Sequence, residues 1–268
     1  MLWKTALGFS VTFIAWLILI PARVVSLNSH ARVGTQDSAA AHPVVLELFT
    51  SEGCSSCPPA DAFLKKLDDA GRSGESAIIA IEEHVDYWNR LGWTDPFSSH
   101  DWTERQEQYA RAFQHDGVYT PELVINGRSD LVGSSEREVR QRIADRSDSS
   151  KAEVRLSSLK VSPNSAELSI EFEATSSDAH NADLWLAVTE RGLSSNVLRG
   201  ENEGRILAHA AVLRSLTRVH RPHPDSSQSS ATIPLDPAWK RENLRFVAFL
   251  QDHRSLHILG AAATSAPR

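Results

Sequence analysis

Hydrophobic positions divide the chain into two stretches of different period. Val44-Val45-Leu46-Glu47-Leu48-Phe49 and Ala77-Ile78-Ile79-Ala80-Ile81 are near-continuous apolar runs, the pattern of strands buried on both faces of an α/β sheet. Between them Ala62, Phe63, Leu64 and Leu67 fall on one side of a helix that starts at Pro58 and ends near Gly71, with Lys65-Lys66 and Asp68-Asp69 on the other. Two such strands joined by a crossover helix form a βαβ unit with parallel pairing. A long aromatic-rich connection, Glu82 to His100, follows and carries His84, Asp86, Tyr87, Trp88, Trp93 and Phe97; connections of this length in a compact domain are often functional. Asp101 and Glu104 suggest a capping pair for a helix to about His115, with Trp102, Arg105, Tyr109 and Phe113 at helical spacing. A strand opened by Pro121, a tight hairpin at Asn126-Gly127 and a helix from Ser135 and Glu138 to about Asp145 complete this part.

Beyond the polar linker Arg146 to Ser150 the period changes to two. Val154 and Leu156, then Leu168, Ile170 and Phe172, then Leu184, Leu186 and Val188, then Phe246, Ala248 and Leu250 alternate with polar or small residues. Alternation of this kind reads as strands, and residues 151–268 are expected to form a second, mainly antiparallel, sandwich-like domain after the α/β domain at 43–147. Arg205 to Val219 fits a short helix as well as a strand. A chain of 268 residues is long enough for two modest cores.

Residues 5 to 20 are mostly apolar behind a single Lys4. Residues 1–31 therefore read as a signal peptide or an N-terminal membrane anchor, and residues 32–42 as a tether. The expected location is periplasmic or secreted, with a possible tether to the inner membrane through residues 5–20. Cleavage after Ala31 would remove Lys4 and Arg23 and move the net charge from −6 to −8. An acidic chain without a basic stripe of interleaved aromatics offers nucleic acid no surface.

The two cysteines of the chain sit together as Cys54-Ser55-Ser56-Cys57, between the first strand and Pro58. A disulfide across so short a loop stabilises a fold by only about 2 kcal/mol in the chain-entropy model, whereas a strand-to-helix turn favours a thiolate. Redox chemistry thus accounts for the pair better than stapling does. Metal binding is the other reading. A zinc site needs two further ligands, which only His84, His100 and His115 offer, and Cys54, Cys57 and His84 would make a soft three-ligand site suited to Cu(I). His84, Asp86 and Glu52 are candidates for proton transfer beside the dithiol; His84 serves equally well as a strand cap or a packing partner of Trp88, and Glu52 reads as a solvated loop residue.

Downstream, Val118-Tyr119-Thr120-Pro121 followed by the Gly-containing hairpin resembles the thioredoxin superfamily, in which a cis proline opens the strand beside the Cys-x-x-Cys turn. The resemblance implies a cis Thr120-Pro121 bond, a thioredoxin fold over 43–147, Cys54 as the exposed attacking thiolate and Cys57 as the buried resolving one. Pro58-Pro59 departs from that pattern: a helix starting only at Pro58 directs its dipole most strongly at Cys57. Taken together, Phe49 to Asp61, His84-Val85-Asp86-Tyr87-Trp88 with Leu91-Gly92-Trp93, Tyr119-Thr120-Pro121, Gly200 to Arg205 and Val247 to Asp252 resemble a family of exported bacterial thioredoxin-like proteins known mainly through a domain of unknown function. The activity implied is thiol–disulfide exchange through Cys54 and Cys57, with Thr120-Pro121 positioning the client backbone. Its partners would be a thiol or disulfide client protein and a redox recycling partner, and its only redox group the disulfide itself.

Overall fold

The computed structural model describes residues 42–75, 77–145, 152–174, 181–220 and 228–267. The expected signal or anchor at 1–31, the tether up to residue 41 and the linker at 146–150 lie outside these residues. Among the described residues no helix is long and apolar enough to cross a membrane.

The first half runs β1 (Val44–Thr50), α1 (Pro58–Ser73), β2 (Ile78–His84), α2 (His100–Phe113), β3 (Glu122–Ile125), β4 (Ser129–Val132) and α3 (Glu136–Ala144). β1 and β2 pair in parallel through the α1 crossover, and β3 pairs antiparallel with β1 and then β4. Every residue of β1 and β2 is buried, as their continuous apolar runs require. Val44, Leu46 and Leu48 face Phe63, Leu64 and Leu67 of α1, while Val45, Ile79 and Ile81 face Trp102 of α2. Each such side chain contributes about 1.5–3 kcal/mol on leaving water.

Two turns fix the edges of this half. Asn126 and Gly127 both have positive φ, 50° and 62°, the backbone of a two-residue hairpin. A Cβ on Gly127 would also strike the Leu256 carbonyl. α1 has Cys57 at its N-cap and Pro58 in its first turn, and ends at a left-handed Gly74 rather than near Gly71. Gly71 stays helical, and a Cβ there would collide with the Ile78 carbonyl, so it lets β2 approach. α2 is capped not by Asp101 but by Ser99, whose hydroxyl accepts the Asp101 N–H.

The second half comprises β5 (Ala152–Val161), β6 (Ser165–Ala174), β7 (Ala182–Glu190), β8 (Leu193–Asn196), β9 (Ile206–His209), β10 (Val212–His220), β11 (Gln228–Pro234), β12 (Leu244–Asp252) and β13 (Ile258–Ser265). Arg205 to Val219 is therefore strand: β9 pairs with β8, and β10 with β7. The strands of this half do not keep to a sheet of their own. β10 runs parallel to β2 through Val212 and Glu82, so that one eight-stranded sheet has the order β13-β12-β7-β10-β2-β1-β3-β4.

A three-stranded sheet, β11-β6-β5, covers one face of the β7 and β12 end. Leu156, Leu168, Ile170 and Phe172 pack there on Leu184, Leu186, Phe246 and Leu250. This is sheet-on-sheet packing, with one layer shared with the first half. The fold is mixed α/β, built on a large, mainly antiparallel sheet.

Candidate functional site

β1 delivers the chain into the turn 51–57, and α1 takes it out. Cys54 N–H bonds the Ser51 carbonyl at 3.1 Å, Cys57 N–H bonds the Cys54 carbonyl at 3.2 Å, and the Cys57 carbonyl accepts from Ala60 and Asp61 at 2.8 and 3.1 Å. Cys54 and Cys57 are joined by a disulfide. Since Cys57 is the N-cap of α1, the helix dipole acts first on Cys57. The Thr120-Pro121 bond beside them is cis, as expected. Cys54 Sγ lies 3.9 Å from the Thr120 carbonyl and 3.2 Å from Ser56 Oγ. Trp88, half-buried in the aromatic connection, donates its indole N–H to Thr120 Oγ1 at 2.9 Å.

Cys54 is not exposed, contrary to the superfamily expectation: both cysteines are wholly buried, and Ser55 and Ser56 take the surface. The cover comes from the turn 200–205 between β8 and β9. Asn202, itself buried, donates to the carbonyls of Glu52 and Cys54 at 2.8 and 2.9 Å. Glu201 accepts the Ser55 N–H at 3.0 Å.

Beneath the turn lies a sealed polar cluster. Glu52 is fully buried, which corrects its reading as a solvated residue. Its carboxylate accepts from Trp93 Nε1 at 2.8 Å and from the Ser195 hydroxyl, and lies 3.1 Å from His209 Nε2. His209 Nδ1 is 2.7 Å from Glu82 Oε1, and Glu82 Oε2 accepts the Ala210 N–H at 3.1 Å. His84 Nδ1 is 2.7 Å from Asp95 Oδ2, which also accepts the Glu52 N–H at 2.8 Å. The two imidazoles meet edge to face at 4.6 Å, and Phe97 packs 5.4 Å from each. Thr50 donates to the buried Asp61 at 2.6 Å.

The charges are mutually tuned. Burial disfavours the cationic form of His84, but the Asp95 charge and hydrogen bond, together with Glu82, push the imidazole up to about 9. His209 is likewise raised against burial, by Glu82 and then Glu52. Burial would raise Glu82, yet the His209 charge and hydrogen bond hold it below the ordinary carboxylate range. Asp61, desolvated and next to Glu82, is raised to about 7.

Of the residues singled out in the sequence, Cys54, Cys57, Thr120 and Pro121 come together. His84 joins the buried cluster and packs on Phe97 rather than Trp88; its ring nitrogens face Asp95 and, at 3.5 Å, Glu82. A Cu(I) site of Cys54, Cys57 and His84 would require opening the disulfide. Asp86 is tied to Thr103 and His100 instead, at 2.6 and 3.2 Å, and His115 faces Asp130 at 3.6 Å, so His84, His100 and His115 do not converge. Asp95, Ser195, Glu201, Asn202 and His209 complete the site without a local sequence pattern that marks them, apart from the motif Gly200 to Arg205, which holds Glu201 and Asn202.

A protein from Agrobacterium tumefaciens of known crystal structure is 29% identical to this chain, covers 86% of it over 97% of its own length, and superposes with a TM-score of 0.66. HBP35 of Porphyromonas gingivalis, 16% identical with a TM-score of 0.56 over 84% of this chain and 75% of its own, shares the fold. No curated protein matches. The family described as "Protein of unknown function (DUF1223)" matches residues 45–251, and the chain belongs to that family.

Proposed function

We propose that the protein is an exported thiol–disulfide oxidoreductase whose first half is a thioredoxin-like module. The observation that carries this reading is the Cys54–Cys57 disulfide at the start of α1, with the cis Thr120-Pro121 backbone 3.9 Å from Cys54 Sγ. The element order β1-α1-β2, then α2-β3-β4-α3, supports the same module.

In the oxidising direction a client thiolate attacks Cys54 Sγ, the Cys54–Cys57 bond breaks, and Cys57 leaves as a thiolate at the helix N-terminus, where the dipole stabilises it. A second client thiolate then attacks the client sulfur of the mixed disulfide and releases Cys54. The client loses two electrons and the dithiol gains them, to be passed to a recycling oxidant; the reverse sequence reduces a client disulfide. Because the sulfurs are covered, attack first requires the turn 200–205 to loosen from Ser55 and Cys54. Cys54→Ser and Cys57→Ser variants assayed for exchange with a peptide disulfide test the reading. Loss of turnover in both is expected, and undiminished exchange in both would overturn it.

A further inference from the structure

We propose that Glu82, His84 and His209 form a buried binding site for a divalent first-row transition ion such as Zn2+. The site goes beyond the redox reading and stands whether or not the dithiol exchanges. One ligand atom from each of the three residues lies within 4.8 Å of the others, and all three side chains are sealed from solvent.

Four observations favour a metal site over a hydrogen-bonded knot of acids and imidazoles. First, Glu82 Oε1 sits between His209 Nδ1 at 2.7 Å and His84 Nε2 at 3.5 Å. Ligands about 2.0–2.1 Å from a tetrahedral zinc are roughly 3.3 Å apart, so small side-chain adjustments bring the atoms into a coordination sphere. Second, His84 Nε2 is fully buried and makes no well-formed hydrogen bond, facing only Glu82 Oε1 at 3.5 Å, a loose contact that an ion between the two atoms would replace with two short bonds.

Third, the remaining polar atoms of the three ligands are already anchored. The far nitrogen of His84 meets Asp95, that of His209 meets Glu52 at 3.1 Å, and Glu82 Oε2 holds the Ala210 N–H. Carboxylates behind metal-bound imidazoles orient the rings and raise their basicity. Fourth, four buried carboxyl groups, those of Glu52, Asp61, Glu82 and Asp95, surround two imidazoles, an excess of acid that favours a cation. Two imidazoles and a carboxylate suit zinc and its neighbours rather than Mg2+ or Ca2+, which prefer all-oxygen sets. Three protein ligands are the number zinc takes when water fills its fourth position.

Co2+ and Zn2+ titrations of full-length protein carrying Cys54→Ser and Cys57→Ser test the site with sulfur ligation removed. Because the cluster is enclosed, each ion is added both to the folded protein and during refolding. The expected result is one equivalent of Co2+ with visible d–d absorption, displaced by Zn2+. His84→Ala and His209→Ala should each weaken binding at least ~100-fold, and Asp95→Asn ~10–100-fold. Glu82→Gln, which preserves shape, covers the case in which a histidine variant fails to fold, as judged by near-ultraviolet circular dichroism. Absence of bound ion in the folded dithiol-free protein at about 100 µM metal, or binding unchanged by Glu82→Gln or His209→Ala, would overturn the proposal.

Discussion

Asn202 Nδ2 donates to the Cys54 carbonyl at 2.9 Å across 148 residues of sequence, and so ties the dithiol turn to the second half of the chain. The same amide bonds the Glu52 carbonyl, and Asn202 Oδ1 is held by Arg205 at 2.8 Å. The clamp fixes the turn and covers Cys54 at once.

Asn202→Ala should therefore act on both. Two buried carbonyls lose their donor, at a cost of about 1–3 kcal/mol, and the disulfide becomes accessible. Urea unfolding should show the lost stability, and reduction by dithiothreitol should run faster than in the wild type. An unchanged reduction rate would mean that the turn 200–205 does not guard the sulfurs.

Glu122, next to the cis proline, gives the protein a pH dependence. Burial raises its carboxyl to about 7 against the Gln106 hydrogen bond, with Asp130 adding to the rise. A carboxyl raised in the folded state favours folding below its unfolded value near 4.5, and that contribution is lost as pH climbs through 7. The loss should be on the order of 3 kcal/mol between those limits. Urea midpoints at pH 5 to 8 check this: Glu122→Gln should flatten the decline, because Gln106 keeps an acceptor while the titrating group is gone.

On the same face of the sheet, α2 also places Arg105 against the buried Glu47. Its guanidinium bonds Glu47 at 2.7 Å through Nε and Gln251 at 3.3 Å through Nη1, while Tyr109 donates to Glu47 at 2.5 Å. Burial and the neighbouring Glu47 push the Glu83 carboxyl well above the usual carboxylate range, against the pull of Arg105. Arg105→Ala should cost about 3–5 kcal/mol, since it strands the Glu47 carboxylate in the interior. Glu83→Gln should be close to neutral by the same unfolding measurement.

The sequence made some of this architecture readable and hid the rest for physical reasons. Continuous apolar runs forecast β1 and β2, and Pro58, which loses nothing at a first helical turn, marked the start of α1 at the second cysteine. His84 was placed at the end of its strand. The joining of both halves was hidden because β10 meets β2 only where Val212 pairs with Glu82, a register that no local pattern encodes. Glu52, Asp95 and His209 were hidden for a second reason. Charged residues ordinarily lie at the surface, and only their mutual pairing permits burial; partners far apart in the sequence, such as His209 and Glu52 at 157 residues, are visible only in the fold.

The reduction potential of the Cys54–Cys57 pair, taken by equilibrating the protein in thiol–disulfide buffers and trapping free thiols, tests the redox reading most directly. One two-electron transition in which both thiols appear together is expected, at a potential between roughly −270 and −120 mV, the span of catalytic dithiols. A potential below roughly −300 mV, the range of structural disulfides, would contradict that reading.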